Sequence, residues 1–443
     1  LLFCRILCSI VLFTASHGAL AASRPAEEAA HGMVVSSQHL ASDIGAAILK
    51  QGGNAVDAAV AVGYAEAVTN ECCGNIGGGG FMVLHLADGR DVFINFRETA
   101  PASATRDMYL DTNGNPVPGE SLLGWKAPGV PGTVLGLDTA LREYGTMRRA
   151  DVMAPAIRLA REGFVLTRAD TDIIDAGARR LKADPEAAKI FFRADGSALQ
   201  PGDVLVQRDL ADTLEAIAKD GPDTFYRGKR AEAVAAAASA HGGIITAADF
   251  ANYTVTESAP VSCAYRGYVF LSAPPPSSGG VTMCEILNIL EGYDLKAMGF
   301  HSAASIHVMA EAMRHAYMDR NTYLGDPAFV HNPLERLLSK DYAASIRAKI
   351  ATYKATPSAE VVPGTPPHER AETTHYSIAD AMGNAVSVTY TVNGIFGAGV
   401  IAPGTGYLLN DEMDDFTVKP GVPNLFGLVQ GEANTIAPGK RPL

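Results

Sequence analysis

Two short runs of alternating residues, one on each side of a turn, restrict this chain more than any other stretch. The first is Thr373-Thr374-His375-Tyr376-Ser377-Ile378-Ala379-Asp380, and the second is Ala385-Val386-Ser387-Val388-Thr389-Tyr390-Thr391-Val392-Asn393. Both repeat with the period of a strand, and Met382-Gly383-Asn384 supplies the turn between them. A hairpin symmetric about Met382 sets Thr391 opposite Thr373, at the close spacing of cross-strand neighbours. Asn393 then lies just beyond. Thr373 gains a hydroxyl neighbour and a nearby amide, the surroundings a reacting oxygen needs. The same run also reads as an ordinary exposed hairpin whose threonines serve strand propensity.

The stretches around this hairpin add candidate parts. Leu40–Lys50 and Ala55–Val68 read as Ala-rich helices broken at Gly52-Gly53-Asn54. Gly77-Gly78-Gly79-Gly80 leads into a strand from Phe81 to Leu86. Successive glycines let backbone run where no side chain fits, either around a ligand or catalytic strand or simply in a tight core. The run lacks the spacing and Lys-Ser/Thr ending of a phosphate loop, which excludes a nucleotide site. A strand over Val92–Phe96 ends at Arg97-Glu98, where a planar guanidinium can fork onto a carboxylate. That arginine can equally pair with Glu98 or another acid as structure. From Val152 to about Thr246 the pattern is helical, with charged, solvated faces. Ala273–Gly280 passes from a rigid proline run to a flexible Ser-Ser-Gly-Gly and introduces a helix from Val281. Helical pattern returns over Ala303–Tyr317, and Thr352–Glu372 reads as an exposed loop running into Thr373. Strands beside long helices suggest layered packing, without regular βαβ spacing.

Composition narrows the function classes. A chain of 443 residues with 47% hydrophobic content can bury a large core, and a mean hydropathy near zero is not that of a polytopic membrane protein. The net charge of -12 argues against nucleic acid and anionic membranes as partners. The apolar opening, ending near Ala19-Leu20-Ala21, reads as a secretory leader over 1–21, with the mature chain starting near Ala22 and destined for the periplasm or the exterior. Cys4 and Cys8 belong to that leader. Cys72-Cys73, Cys263 and Cys284 remain; a Cys263–Cys284 bridge suits an oxidising compartment, but spacing alone does not decide it. No metal-binding spacing is present, so a structural zinc site is not expected.

Taken together, several strings resemble those of the bacterial γ-glutamyltranspeptidases, also called glutathione hydrolases. They are Gly53–Ala59, Gly77–Phe81, Phe96–Glu98, Arg106–Tyr109, Pro128–Gly132, Pro274–Gly280, Thr373–Ser377, Asn410–Phe416 and Lys419–Asn424. The resemblance covers essentially everything after the leader. It implies an N-terminal-nucleophile hydrolase of α+β class with a four-layer αββα sandwich. It also implies a proenzyme that cuts itself between Glu372 and Thr373, giving a large subunit (22–372) and the start of a small one (373–443). The freed Thr373 amine titrates near 8, low enough to serve as the base for its own hydroxyl.

By the same resemblance, Thr391 contacts the nucleophile and Arg97 binds the α-carboxylate of the γ-glutamyl group. Asn393, Glu412 and Asp415 would hold the α-amino group, and Phe426 sits in the lid loop where some relatives carry tyrosine. The implied partners are glutathione and other γ-glutamyl compounds, with water, amino acids or peptides as acceptors; no metal or organic cofactor is implied. Relatives place a substrate-binding serine pair and oxyanion-hole glycines beyond the position of Leu443. A chain ending there is expected to be inactive and incompletely folded. A cephalosporin acylase, a poly-γ-glutamate depolymerase or a non-maturing binding protein are the competing readings.

Overall fold

Six strands form the central sheet: β1 (Gly32–Val35), β2 (Gly79–His85), β3 (Asp91–Phe96), β4 (Thr256–Ser258), β5 (Thr374–Asp380) and β6 (Ala385–Thr391). Their order is β1-β5-β6-β2-β3-β4, and every neighbouring pair is antiparallel. Two further two-stranded sheets pair Phe164–Val165 with Val204–Leu205 and Val261–Tyr265 with Tyr268–Ser272. The computed structural model describes residues 26–357 and 373–443. The leader read over 1–21, most of the loop before Thr373, and Glu372 itself lie outside the described residues. Residues 26–31 carry neither helix nor strand, and Gly32–Leu443 form one compact unit. Among the described residues, no helix is long and apolar enough to cross a membrane.

The hairpin pairs in the expected register, from Ala385 opposite Ala379 to Tyr390 opposite Thr374. Alternation then sorts its side chains by face. Thr374, Tyr376 and Ile378 are buried, while Thr373, His375 and Ser377 are exposed on the other face. The buried set packs toward helix α2, beside which the Tyr390 hydroxyl donates to the Gly63 carbonyl at 2.8 Å.

Helix α2 (Ala55–Thr69) is buried at every residue, as its apolar circumference requires. Helices α1 (His39–Lys50) and α3 (Arg149–Glu162) pack against it. Asn54 starts α2 with a reciprocal capping box: its side chain accepts from the Val56 and Asp57 amides, and Asp57 accepts from its own amide. The helix also grips both ends of β5. At one end Thr374 Oγ1 donates to Glu66 at 2.9 Å; at the other, Asp380 accepts from the Ala55 amide at 2.9 Å. The helix rise between those residues spans roughly 16 Å and the strand roughly 20 Å, so the two lie alongside at matched length.

The glycine run settles between its two readings by proximity. A Cβ on Gly78 would lie 1.9 Å from the Thr391 carbonyl oxygen, and one on Gly80 would lie 2.3 Å from that of Thr389. Backbone is therefore pressed directly onto the strand that faces Thr373.

Elsewhere the boundaries shift modestly. The strand expected from Phe81 begins at Gly79, the helix expected from Val281 begins at Gly279, and the Ala303 helix continues to Tyr323. The 152–246 region is helical as read, but it is not a solvated layer. Val152, Met153, Leu210, Leu214, Ile217 and Phe225 belong to the main core, because each amphipathic helix turns one stripe inward. Cys263 and Cys284 are bonded, tying the Val261–Tyr265 strand to the Gly279–Leu290 helix. Cys72 and Cys73 are bonded as well, a pairing the sequence reading did not anticipate.

Gly80→Ala should force the sheet apart and lower stability by about 1–3 kcal/mol or more, read as a fall in the urea midpoint. Asp380 accepts from the Ala55, Met382 and Asn384 amides and from the Asn384 side chain. Burial by itself would raise its pKa, but these donors outweigh it and lower the value below 3.8. Asp380→Ala should therefore cost about 1.5–3 kcal/mol at neutral pH. Because the folded value is depressed, that gap is present in full well above 3.8 and closes as pH falls through the lower folded value. Denaturant titrations of both proteins across acid pH measure it.

Candidate active site

Thr373 is the residue just before β5, exposed on the polar face of the hairpin. Its Oγ1 lies 3.4 Å from Thr391 Oγ1, to which it donates. Thr391 Oγ1 in turn accepts from the Asn393 amide at 2.8 Å. Asn393 adopts φ 73°, uncommon for a side-chain-bearing residue, and its Nδ2 donates to the Asp411 carbonyl at 3.0 Å. The turn so formed folds the chain after β6 back over the hairpin. Further along the same face, His375 bonds Thr389 at 2.7 Å, and burial lowers the imidazole pKa.

Arg97 follows β3 and reaches the same place from the neighbouring side of the sheet. Its guanidinium is 6% exposed. One nitrogen donates to Glu412, and another donates to Asp415 at 2.5 Å. Glu98 lies 4.0 Å away, and the Phe81 ring lies 5.7 Å from the guanidinium carbon. Burial alone would lower the arginine's pKa, but Glu412, Asp415 and Glu98 together raise it. Of the two readings for Arg97, the structure shows a buried ion-pair array whose partners come chiefly from 412–415 rather than from Glu98.

Three carboxyl groups crowd one guanidinium. Burial pushes Glu98 up to about 7 against the pull of Arg97. Burial also raises Glu412 well above the ordinary range, with Glu98 and Asp415 adding repulsion.

Thr373, Thr391, Arg97, Asn393, Glu412, Asp415 and Phe426 line one cavity of about 180 Å³. Phe426 belongs to a loop braced by Asn424, whose Nδ2 donates to Asp415 at 3.3 Å. Glu372 lies outside the described residues. A larger cavity of about 1150 Å³, lined by Trp125, Arg180 and His241, offers no hydroxyl or thiol from a Ser, Thr or Cys side chain.

Sequence reasoning missed two groups. Glu66 is fully buried and accepts from Thr374, Ser37 and Asn70, anchoring the residue next to Thr373. Its only signal was an acid near the C-terminal end of a mostly apolar helix, whose other acid, Asp57, serves the cap. Ser277 and Ser278 also line the cavity, although their stretch read only as a rigid-to-flexible passage into the next helix.

Comparison with known proteins agrees with this geometry. A family model described as Gamma-glutamyltranspeptidase matches residues 41–443. The glutathione hydrolase proenzyme of Pseudomonas sp. (strain A14) is 56% identical over 441 residues, covering 100% of this chain and 77% of the relative. The crystal structure of Helicobacter pylori gamma-glutamyltranspeptidase superposes with a TM-score of 0.75 at 43% identity, covering 78% of this chain and 99% of that one. The cephalosporin acylase from Bacillus halodurans superposes with a TM-score of 0.81 at 31% identity, covering 96% of this chain and 76% of that one. The match across nearly the whole chain, joined to a threonine hairpin facing a buried arginine–carboxylate array, places this α+β protein in the γ-glutamyltranspeptidase family of N-terminal-nucleophile hydrolases.

Proposed function

We propose that Thr373 is the nucleophile of a γ-glutamyl transfer and hydrolysis reaction, active once the bond after Glu372 is cut. The observation that carries this reading is the placement of the Thr373 hydroxyl, 3.4 Å from that of Thr391, in the cavity that holds Arg97, Glu412 and Asp415. In the precursor the Thr373 nitrogen is an amide and cannot take a proton; as a free amine it can. Oγ1 then attacks the γ-carbonyl of a γ-glutamyl amide while the amine accepts its proton. That proton passes to the leaving nitrogen, the C–N bond breaks, and a threonyl ester remains. Water, or the amine of an acceptor, attacks the ester and restores the hydroxyl.

The charge array fits a free amino-acid head. Glu412 and Asp415 now share the Arg97 guanidinium; an α-ammonium arriving at the two acids would replace it there and free the fork for the α-carboxylate. Asn393 lies beside them, and Phe426 covers the cavity as an apolar lid. At about 180 Å³, the space is below that of drug-sized ligand pockets and suits one glutamyl head. Glutathione is the proposed donor. Export to the periplasm or exterior is the proposed location, supported by the bonded Cys263–Cys284 pair.

An acylase reading draws on the structural likeness to the Bacillus halodurans enzyme, but glutaryl side chains carry no ammonium for Glu412 and Asp415 to bind. Turnover of γ-glutamyl-anilide against a glutaryl amide separates the two, and a preference for the glutaryl compound reverses the assignment.

Intact mass of the full-length precursor should show two pieces, the smaller beginning at Thr373. Thr373→Ala should leave a single chain and lower turnover at least ~10⁴-fold; processing elsewhere, or turnover by an uncut chain, overturns the proposal. Arg97→Lys keeps the charge but loses the fork, so KM for γ-glutamyl-anilide should rise by roughly tenfold or more in steady-state assays, with a smaller change in kcat.

A further inference from the structure

Ser277 and Ser278 line the same cavity as Thr373 and Arg97. Both hydroxyl oxygens already accept a hydrogen bond. Ser278 Oγ accepts from Arg320 Nε at 3.0 Å, and Ser277 Oγ accepts from the Gly279 amide at 3.4 Å. Each hydroxyl proton is therefore left to donate elsewhere, and Ser278 spends none of its side chain on capping the helix it precedes.

Behind them stands Arg320, on the Ala303–Tyr323 helix and 7% exposed. Its other hydrogen bond among the described residues goes to the Asn321 side chain at 2.9 Å. No carboxylate among the described residues lies within ion-pair distance of it. Burial lowers its pKa, and it is near enough to the site to feel Asp415 and Arg97. A buried cation without an anionic partner is costly, and this one polarises a hydroxyl on the wall of the catalytic cavity.

The cavity thus presents two regions of different sign. The Arg97 array, rich in carboxyls, suits a zwitterion. The Ser277–Ser278 wall, with a guanidinium behind it and the Gly279–Leu290 helix beginning beside it, suits an anion. We propose that Ser277 and Ser278, backed by Arg320, bind the C-terminal carboxylate of the peptide that leaves Thr373 and of the peptide acceptor that takes its place. This rests on the γ-glutamyl reading above. Ser277 and Ser278 would touch the peptide directly, while Arg320 acts through Ser278 as a positioning residue.

The test compares kcat/KM for glutathione with that for its C-terminal glycinamide, using the processed full-length enzyme. The wild type should favour the free carboxylate by about tenfold or more. Ser278→Ala and Arg320→Gln should each bring that ratio toward one, and Arg320→Lys should restore part of it. The ratio is insensitive to how much enzyme folds; if Arg320→Gln yields no soluble protein, Ser277→Ala and Ser278→Ala decide. A wild type indifferent to the amide, or variants that slow both substrates equally, overturns the assignment and leaves the trio a structural role. Failure of the wild type to cleave γ-glutamyl-anilide would instead sink the underlying reading, so the two failures are distinguishable.

Discussion

The grip of helix α2 on strand β5 is the interaction on which the site depends. A helix buried all round has little side-chain chemistry to offer, yet this one places Glu66 near one end and the Ala55 amide at the other. Those two groups hold Thr374 and Asp380, six positions apart along the strand. Because side chains alternate across a sheet, fixing Thr374 toward the helix turns Thr373 toward the cavity. A slip of one residue would reverse both. The direction of Thr373 is thus set by the residue beside it, through the buried Glu66.

The glycine run works from the opposite side. Gly78 and Gly80 let β2 approach β6 closely enough to leave no room for a Cβ. The arginine at the end of β3 is carried one strand further along, beyond β2. Site and sheet are therefore not separable: the chemistry sits where three antiparallel strands bring Thr373, Thr391 and Arg97 to one edge of their pleat.

Much of this was legible in the sequence. The period-2 runs around Met382 gave the hairpin register directly, because a short turn leaves a two-strand ribbon few alternatives. Arg97, Glu412 and Asp415 could be gathered only through resemblance, since 315 positions separate Arg97 from Glu412 and no local pattern connects them. The buried role of Glu66 stayed hidden for a related reason. An acid among alanines and valines looks like a solubilising residue until Ser37, Asn70 and Thr374 surround it. The helices between 152 and 246 were misread as solvated because their charged faces dominate composition, while the narrow inward stripe decides burial. Ser277 and Ser278 were hidden because their stretch read as a passage into a helix, while its packing makes it a wall of the cavity.

The Thr374 anchor has one more implication. Whatever amine emerges when the backbone opens ahead of Thr373 is tethered a single residue from a side chain locked into the protein interior. Such a newly made chain end has almost no slack: two backbone torsions and one side-chain torsion describe its whole range. A terminus of this kind starts one residue from its anchor, because Glu66 already holds Thr374.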